Sequence, residues 1–196
     1  MRSLLKKAFS EKKKKGFVWI EAVLYIALGV VAISLVMTAG LPLINKMKDR
    51  NTIIQTKDLM HTIDESIWQV RSDGIGSRRF LEPIIIKGGK LMIFGDEYNG
   101  EEKNSIVWEI KTKAGMMEAC PADEEPEESC TQSEGNLKMV AIQTLVEGED
   151  TIKLILDYSE NIKLEVEDYT SGSALTGKYA LSIENSGESK ITLKVI

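Results

Sequence analysis

The sequence is short of the residues that most enzyme chemistry needs. In 196 residues it has one histidine, two cysteines and four prolines, and 6% of its residues are aromatic. A lone His61 cannot furnish a His-rich metal centre. No H-E-x-x-H, G-x-S-x-G or Cys/His metal spacing occurs, so the reading is non-enzymatic, with no cofactor and no metal. Glycan acceptor sites are missing too. Asn51-Thr52, Asn104-Ser105 and Asn185-Ser186 each place the hydroxyl one position too early for N-x-[ST]. The stretch Gly172–Gly177 (GSALTG) lacks the GK[ST] ending of a phosphate cradle and reads as a loop.

Charge is abundant but unevenly placed. Residues 1–16 carry seven Lys/Arg against Glu11 alone, a net +6, and the remaining chain is net −11. A basic head on an acidic body argues against nucleic acid as a partner, since the body repels phosphate. From Ala22 to Ile44 no charged residue occurs in 23 positions. As a helix this run spans roughly 35 Å, enough to cross a hydrocarbon layer of about 30 Å. The basic residues before it predict a cytoplasmic N-terminus, with everything after Asn45 outside. The run is too long for the apolar region of an ordinary secretory signal, and no A-x-A site follows it. Glu21 stands at its edge, after Phe17, Val18, Trp19 and Ile20. A carboxylate at that depth is costly and needs a partner.

Beyond the apolar run, helical periodicity continues. Ile53, Met60 and Ile67 recur every seven residues, with Ile63 and Val70 three residues after Met60 and Ile67; Ile54 and Trp68 widen the stripe, and Asp64 and Glu65 lie away from it. One helix over 17–71 is expected, about 80 Å long. It is apolar all round at first, then one-sided, and stops near Ser72–Gly76. His61 reads as a surface or boundary residue. From residue 72 to 196 an extracytoplasmic antiparallel β domain is expected, so the fold class is α+β. Gly88-Gly89 reads as a two-residue hairpin between LEPIII and KLMIF. Further strands are expected at 105–113, 137–146, 151–158, 161–167, 178–184 and 190–196. Turns at Ser159-Glu160 and Asn185-Ser186-Gly187 make the whole a meander.

Cys120 and Cys130, outside the membrane and close in sequence, are expected to form a disulfide. The carboxylates they bracket (Asp123, Glu124, Glu125, Glu127 and Glu128) lack the alternation and glycine of a calcium loop, and read as a solvated, self-repelling segment.

Lys15-Gly16 followed by Phe17, then Glu21 four residues on, then the long apolar helix, resembles the type IV pilin superfamily, which includes pseudopilins and archaeal pilins with class III signal peptides. The Lys/Glu/Ile-rich composition is compatible with an archaeal source. Departures are Val18 and Trp19, where many bacterial pilins have Thr and Leu, and Pro42, which lies further from the cut than their helix-kinking proline. The resemblance implies that a prepilin peptidase cuts between Gly16 and Phe17, with Lys15 before the cut. It implies that the helix is retained as membrane anchor and later as filament core, and that Glu21 pairs with the terminal amine of a neighbouring subunit. Partners implied are the peptidase, further copies of the chain, other pilin-like subunits, the membrane and, indirectly, an ATP-driven assembly platform. The expected location is single-pass in the membrane, then a surface filament. The alternatives are a pseudopilin of a type II-like secretion system, or a single-pass anchored binding domain that never polymerises.

Overall fold

A computed structural model describes the backbone of residues 2–122, 128–144, 146, 148–187 and 189–196. Side chains are described over the same stretches from residue 19 onward, except that of Glu128. The chain divides into two compact units, Met1–Asn45 and Lys46–Ile196.

A single helix, α1 (Arg2–Asp73), supplies all of the first unit and the first part of the second. Its bounds take in the basic head as well as 17–71, because Lys and Glu are good helix formers and nothing before Gly16 breaks the turn. In the first unit the apolar side chains from Trp19 to Ile44 are exposed, and none of the most apolar window is buried. The stretch is long and apolar enough to cross a membrane. Two of its hydroxyls are satisfied within the helix: Ser34 Oγ donates to the Val30 carbonyl at 2.8 Å, and Thr38 Oγ1 to that of Ser34 at 2.7 Å.

In the second unit the rest of α1 packs on an eight-stranded sheet, which makes the chain α+β. The strands are β1 (Arg78–Phe94), β2 (Ser105–Thr112), β3 (Thr131–Glu134), β4 (Leu137–Gln143), β5 (Asp150–Asp157), β6 (Lys163–Glu167), β7 (Leu175–Gly187) and β8 (Lys190–Val195), ordered β3-β4-β5-β2-β1-β7-β8-β6. Ile53, Met60, Ile63, Ile67 and Val70 are at most 1% exposed and join the inward residues of the sheet, Trp108, Leu154, Leu156, Ile183 and Leu193 among them, in one core. Each such burial contributes about 1.5–3 kcal/mol. The stripe is narrower than its sequence pattern suggests. Ile54 is 44% exposed and Trp68 37%, because the flanking positions rotate past the edge of the contact, and Trp68 instead carries the Arg71 guanidinium over its ring.

Several strand expectations are corrected. Gly88-Gly89 is not a hairpin: β1 runs straight through it, pairing with β7 before and chiefly with β2 after. The glycines serve close approach. Gly89 sits at φ +76, a Cβ on it would lie 2.3 Å from the Glu109 carbonyl oxygen, and Trp108 Nε1 donates to the Gly88 carbonyl at 2.9 Å. Second, the sheet is no simple meander. After β5 the chain turns through Tyr158–Ile162, whose amides bond back to Tyr158 O, and β6 leaves for the far edge to pair in parallel with β8. Third, the 137–146 run is strand only to Gln143, and a short polar strand, β3, precedes it. Leu175 and Gly177, read as loop, open β7. The final hairpin is present with its turn two residues later than expected, with Asn185 pairing Ile191 and Gly187 pairing Lys190.

On the outer face, Met92, Phe94 and Val107 form a second, small cluster beneath Tyr98, whose ring centroid lies 4.7 Å from that of Phe94. Asn104 ties this region together. It is 4% exposed at φ 55, its Nδ2 donates to Asp96 Oδ1 at 3.2 Å, and its Oδ1 accepts from the Leu164 amide at 2.9 Å.

Candidate functional site

The residues singled out in the sequence fall into three places. Lys15, Gly16 and Phe17 lie within α1, but their side chains are outside the described residues. Glu21 is on the same helix and exposed, with no hydrogen bond or ion pair among the described residues. Its neighbours on the helix are apolar and equally exposed: Trp19, Ile20, Val23, Leu24 and Tyr25. Among the described side chains of the first unit up to Ile44, Glu21 is the one carboxylate, set among apolar neighbours.

The cysteines are bonded to each other, Cys120 to Cys130, with their Cα atoms 5.5 Å apart. Both are buried, and Cys120 extends the sheet edge: its amide donates to the Ala141 carbonyl at 3.0 Å, and its carbonyl accepts from the Gln143 amide at 2.8 Å. The disulfide therefore fastens the strand-like residue 120 to the start of β3. Of the acidic segment it closes, Asp123, Glu124, Glu125 and Glu127 lie outside the described residues. Among the described residues no group of three metal-ligating side chains is found.

His61 is half-buried at the boundary of the helix, Nε2 3.7 Å from Glu134 Oε1. Glu134 also takes an ion pair from Lys57, whose ammonium holds its carboxyl below the usual range. This cluster pins the edge strand β3 to the helix.

Sequence reasoning missed a second polar link. Asp64, placed on the solvent side by the helical pattern, accepts from the Tyr158 hydroxyl at 2.8 Å and from Asn136 Nδ2 at 3.1 Å, both on one carboxylate oxygen. Burial first, then the Asp64 charge, pushes the Tyr158 phenol well above its ordinary value. A Tyr ending an alternating strand was the available signal, since a buried Tyr hydroxyl takes a partner. Near the start of the second unit Asp49 Oδ2 accepts from Thr112 Oγ1 at 3.1 Å.

A cavity of about 280 Å³ lies beside β6, lined by Asp96, Glu97, Lys163, Val166, Glu167 and Tyr169 among others. Burial pushes the Tyr169 phenol up to about 12.

No protein-family model matches this sequence, and no curated protein or solved structure is significantly similar to it. What the fold defines is a class: a protein with one apolar, membrane-capable N-terminal helix continuing into an α+β domain closed by a disulfide. That layout is compatible with a pilin-like architecture.

Proposed function

We propose that the chain is a structural subunit of a type IV pilus-like filament, assembled through its N-terminal helix after prepilin peptidase cleavage. The observation that carries this reading is one continuous element. Lys15-Gly16-Phe17 and Glu21 lead into a helix that is apolar and exposed all round to Ile44, then one-sided and packed on a sheet from Ile53. A helix exposed in that way has its apolar surface satisfied by lipid before assembly and by sister helices after it.

The steps follow from the charges. The +6 head keeps the N-terminus cytoplasmic, where hydrolysis of the Gly16–Phe17 peptide bond releases the basic leader and creates a terminal ammonium on Phe17. In the assembled bundle that ammonium meets the Glu21 carboxylate of a neighbour. Desolvated together the two offset each other's burial, while a register that separates them leaves both unpaired, so one pair fixes the stagger between subunits. The role is mechanical, with no catalytic step. The β domain, which carries the disulfide, faces outward.

The test is the mass of the N-terminal peptide of the protein taken from its native envelope. A chain starting at Phe17, with or without N-methylation, is the expected result. A chain still starting at Met1 would overturn the processing step and leave a single-pass anchor displaying the β domain.

A further inference from the structure

Cations occur throughout the second unit, but those without a carboxylate partner gather at one end of it. Lys46–Ile196 carries 18 Lys/Arg against 28 Asp/Glu, a net −10. Eight of the 18 pair with a carboxylate: Lys57, Arg78, Arg79, Lys90, Lys103, Lys153, Lys190 and Lys194. Ten make no ion pair among the described residues. Six of those ten are Lys46, Lys48, Arg50, Lys87, Lys111 and Lys113, and all six are exposed.

Three elements bring the six together. Lys46, Lys48 and Arg50 are on α1 where the second unit starts. Asp49, between them, turns to the sheet. Its Oδ2 accepts from Thr112 Oγ1 at 3.1 Å and from the Lys113 amide at 3.4 Å, which holds the end of β2, with Lys111 and Lys113, against this turn of the helix. Further along α1, Gln55 Oε1 accepts from Lys87 Nζ at 2.9 Å, and a Cβ on Gly88 would lie 3.3 Å from Thr52 Cγ2, so β1 brings Lys87 to the same stretch of helix. At 100° per residue, Lys46 and Arg50 lie on one flank of Asp49 and Lys48 on the other. The neighbouring acids are fewer. Asp49 is held as described, Glu109 is taken by Lys90 at 3.5 Å, and Asp150 stands opposite Thr112 on β5, with Glu149 before it.

The place of this cluster in the chain says what it meets. Lys46 comes two residues after the uncharged run Ala22–Ile44, and Asp49 five, about 7.5 Å of helix rise. A headgroup layer is about 5–7.5 Å deep, since a bilayer is about 40–45 Å across and its hydrocarbon about 30 Å. Lys and Arg just beyond a membrane helix on its outer side also oppose the orientation that the basic head sets, so they carry a cost that a contact must offset. We propose that this end of the second unit is a docking surface for anionic lipid headgroups. Lys48, Arg50, Lys87, Lys111 and Lys113 meet lipid phosphates at the outer face of the membrane, and Met47, 64% exposed among them, enters the interface. The acidic remainder of the unit is repelled by the same lipids, so attraction and repulsion favour the same end. This inference rests on the chain crossing a membrane and is indifferent to whether it polymerises.

The experiment uses the full chain in lipid nanodiscs, made either of phosphatidylcholine alone or of equal parts phosphatidylcholine and phosphatidylglycerol. Its lysines are briefly acetylated and read by peptide mass spectrometry, since an ammonium held against a phosphate reacts more slowly than a free one. Lys48, Lys87, Lys111 and Lys113 are expected to label about three- to fivefold more slowly in the anionic discs, and high salt should remove the difference. Lys138 on β4 and Lys163 on β6, also exposed and without an ion pair, should label equally in both. In the double variant Lys111→Glu, Lys113→Glu, which touches no core residue, Lys48 and Lys87 should regain most of their reactivity. Equal labelling of the four lysines in the two lipids, by a chain that co-elutes with the discs, overturns the docking surface alone. Protection that follows the number of chains per disc instead of the lipid charge also overturns it, and assigns the surface to a second copy. A chain that elutes apart from the discs overturns the membrane reading, and the docking surface with it.

Discussion

Two buried polar groups decide more of this fold than their number suggests. Asn104 accepts the Leu164 amide in the core between β2 and β6 and occupies a left-handed backbone conformation that Asn tolerates better than most residues. Asn104→Ala removes that acceptor and leaves the amide buried and unpaired. The expected loss is about 1–3 kcal/mol of unfolding free energy in urea, against about 0.5 kcal/mol or less for exposed Asn99→Ala. Tyr158 is the other. Its phenol is held protonated above the ordinary 10.0 by burial and by Asp64. Below pH 10 both folded and unfolded chains keep the proton, and the contribution is fully present. Above it the unfolded chain releases the proton and the folded one does not, so stability falls as pH rises, by about 1.4 kcal/mol per unit for this one group. The difference between wild type and Tyr158→Phe, followed by urea unfolding from pH 9 to 11, isolates that slope. A constant difference across the range would refute it.

At the scale of elements, the central fact is that one helix has two environments. Its second part works as a packing surface, five residues deep, and the cost of trimming it is set by the core. Ile63→Ala, at 0% exposed, is expected to cost about 2–5 kcal/mol. Ile54→Ala, on the same helix but 44% exposed, is expected to cost about 0.5 kcal/mol. Denaturant midpoints of the two variants in detergent make the comparison; similar losses would mean that the stripe is drawn in the wrong place. Strand elements follow a different logic. Both edge strands are short and polar, TQSE in β3 and KLEVE in β6, which discourages edge-to-edge aggregation. Each is also tied down, β3 by the Lys57–Glu134 pair and by the disulfide at its start, β6 by the Asn104 link and the Asp96 amide.

For the whole molecule, the proposed function turns on Glu21. As a neutral isostere, Glu21→Gln keeps the helix and lightens the burden of placing it in lipid, so the variant is expected to accumulate normally in the membrane fraction. It cannot pair with an ammonium, and fibres seen by electron microscopy should be lost. Undiminished fibres from that variant would remove the pairing step while leaving the membrane anchor untouched. The separation is clean because Glu21 lies in the first unit and takes no part in the core of the second.

Much was legible from residue order alone. A 23-residue uncharged run after a +6 head can be read without any fold, because crossing a hydrocarbon layer depends on length and charge and not on partners. The amphipathic stripe from Ile53 to Val70 was legible because a helix repeats every 3.6 residues whatever it packs against, and the alternating faces of β2 and β5 because a strand repeats every two. The pairing of Cys120 with Cys130 was legible from their closeness in sequence and their expected place outside the membrane. What sequence could not settle was long-range pairing. Gly88-Gly89 looks the same as a turn and as a close-approach point, and only the arrival of Glu109 and Trp108 against it decides for the latter. Asp64 reads as solvent-facing until Tyr158, 94 residues later, reaches it. The parallel placement of β6 beside β8 depends on which edge of the sheet is still free when the chain returns. That is a property of the assembled sheet, since a strand carries the same side-chain alternation whichever neighbour it joins.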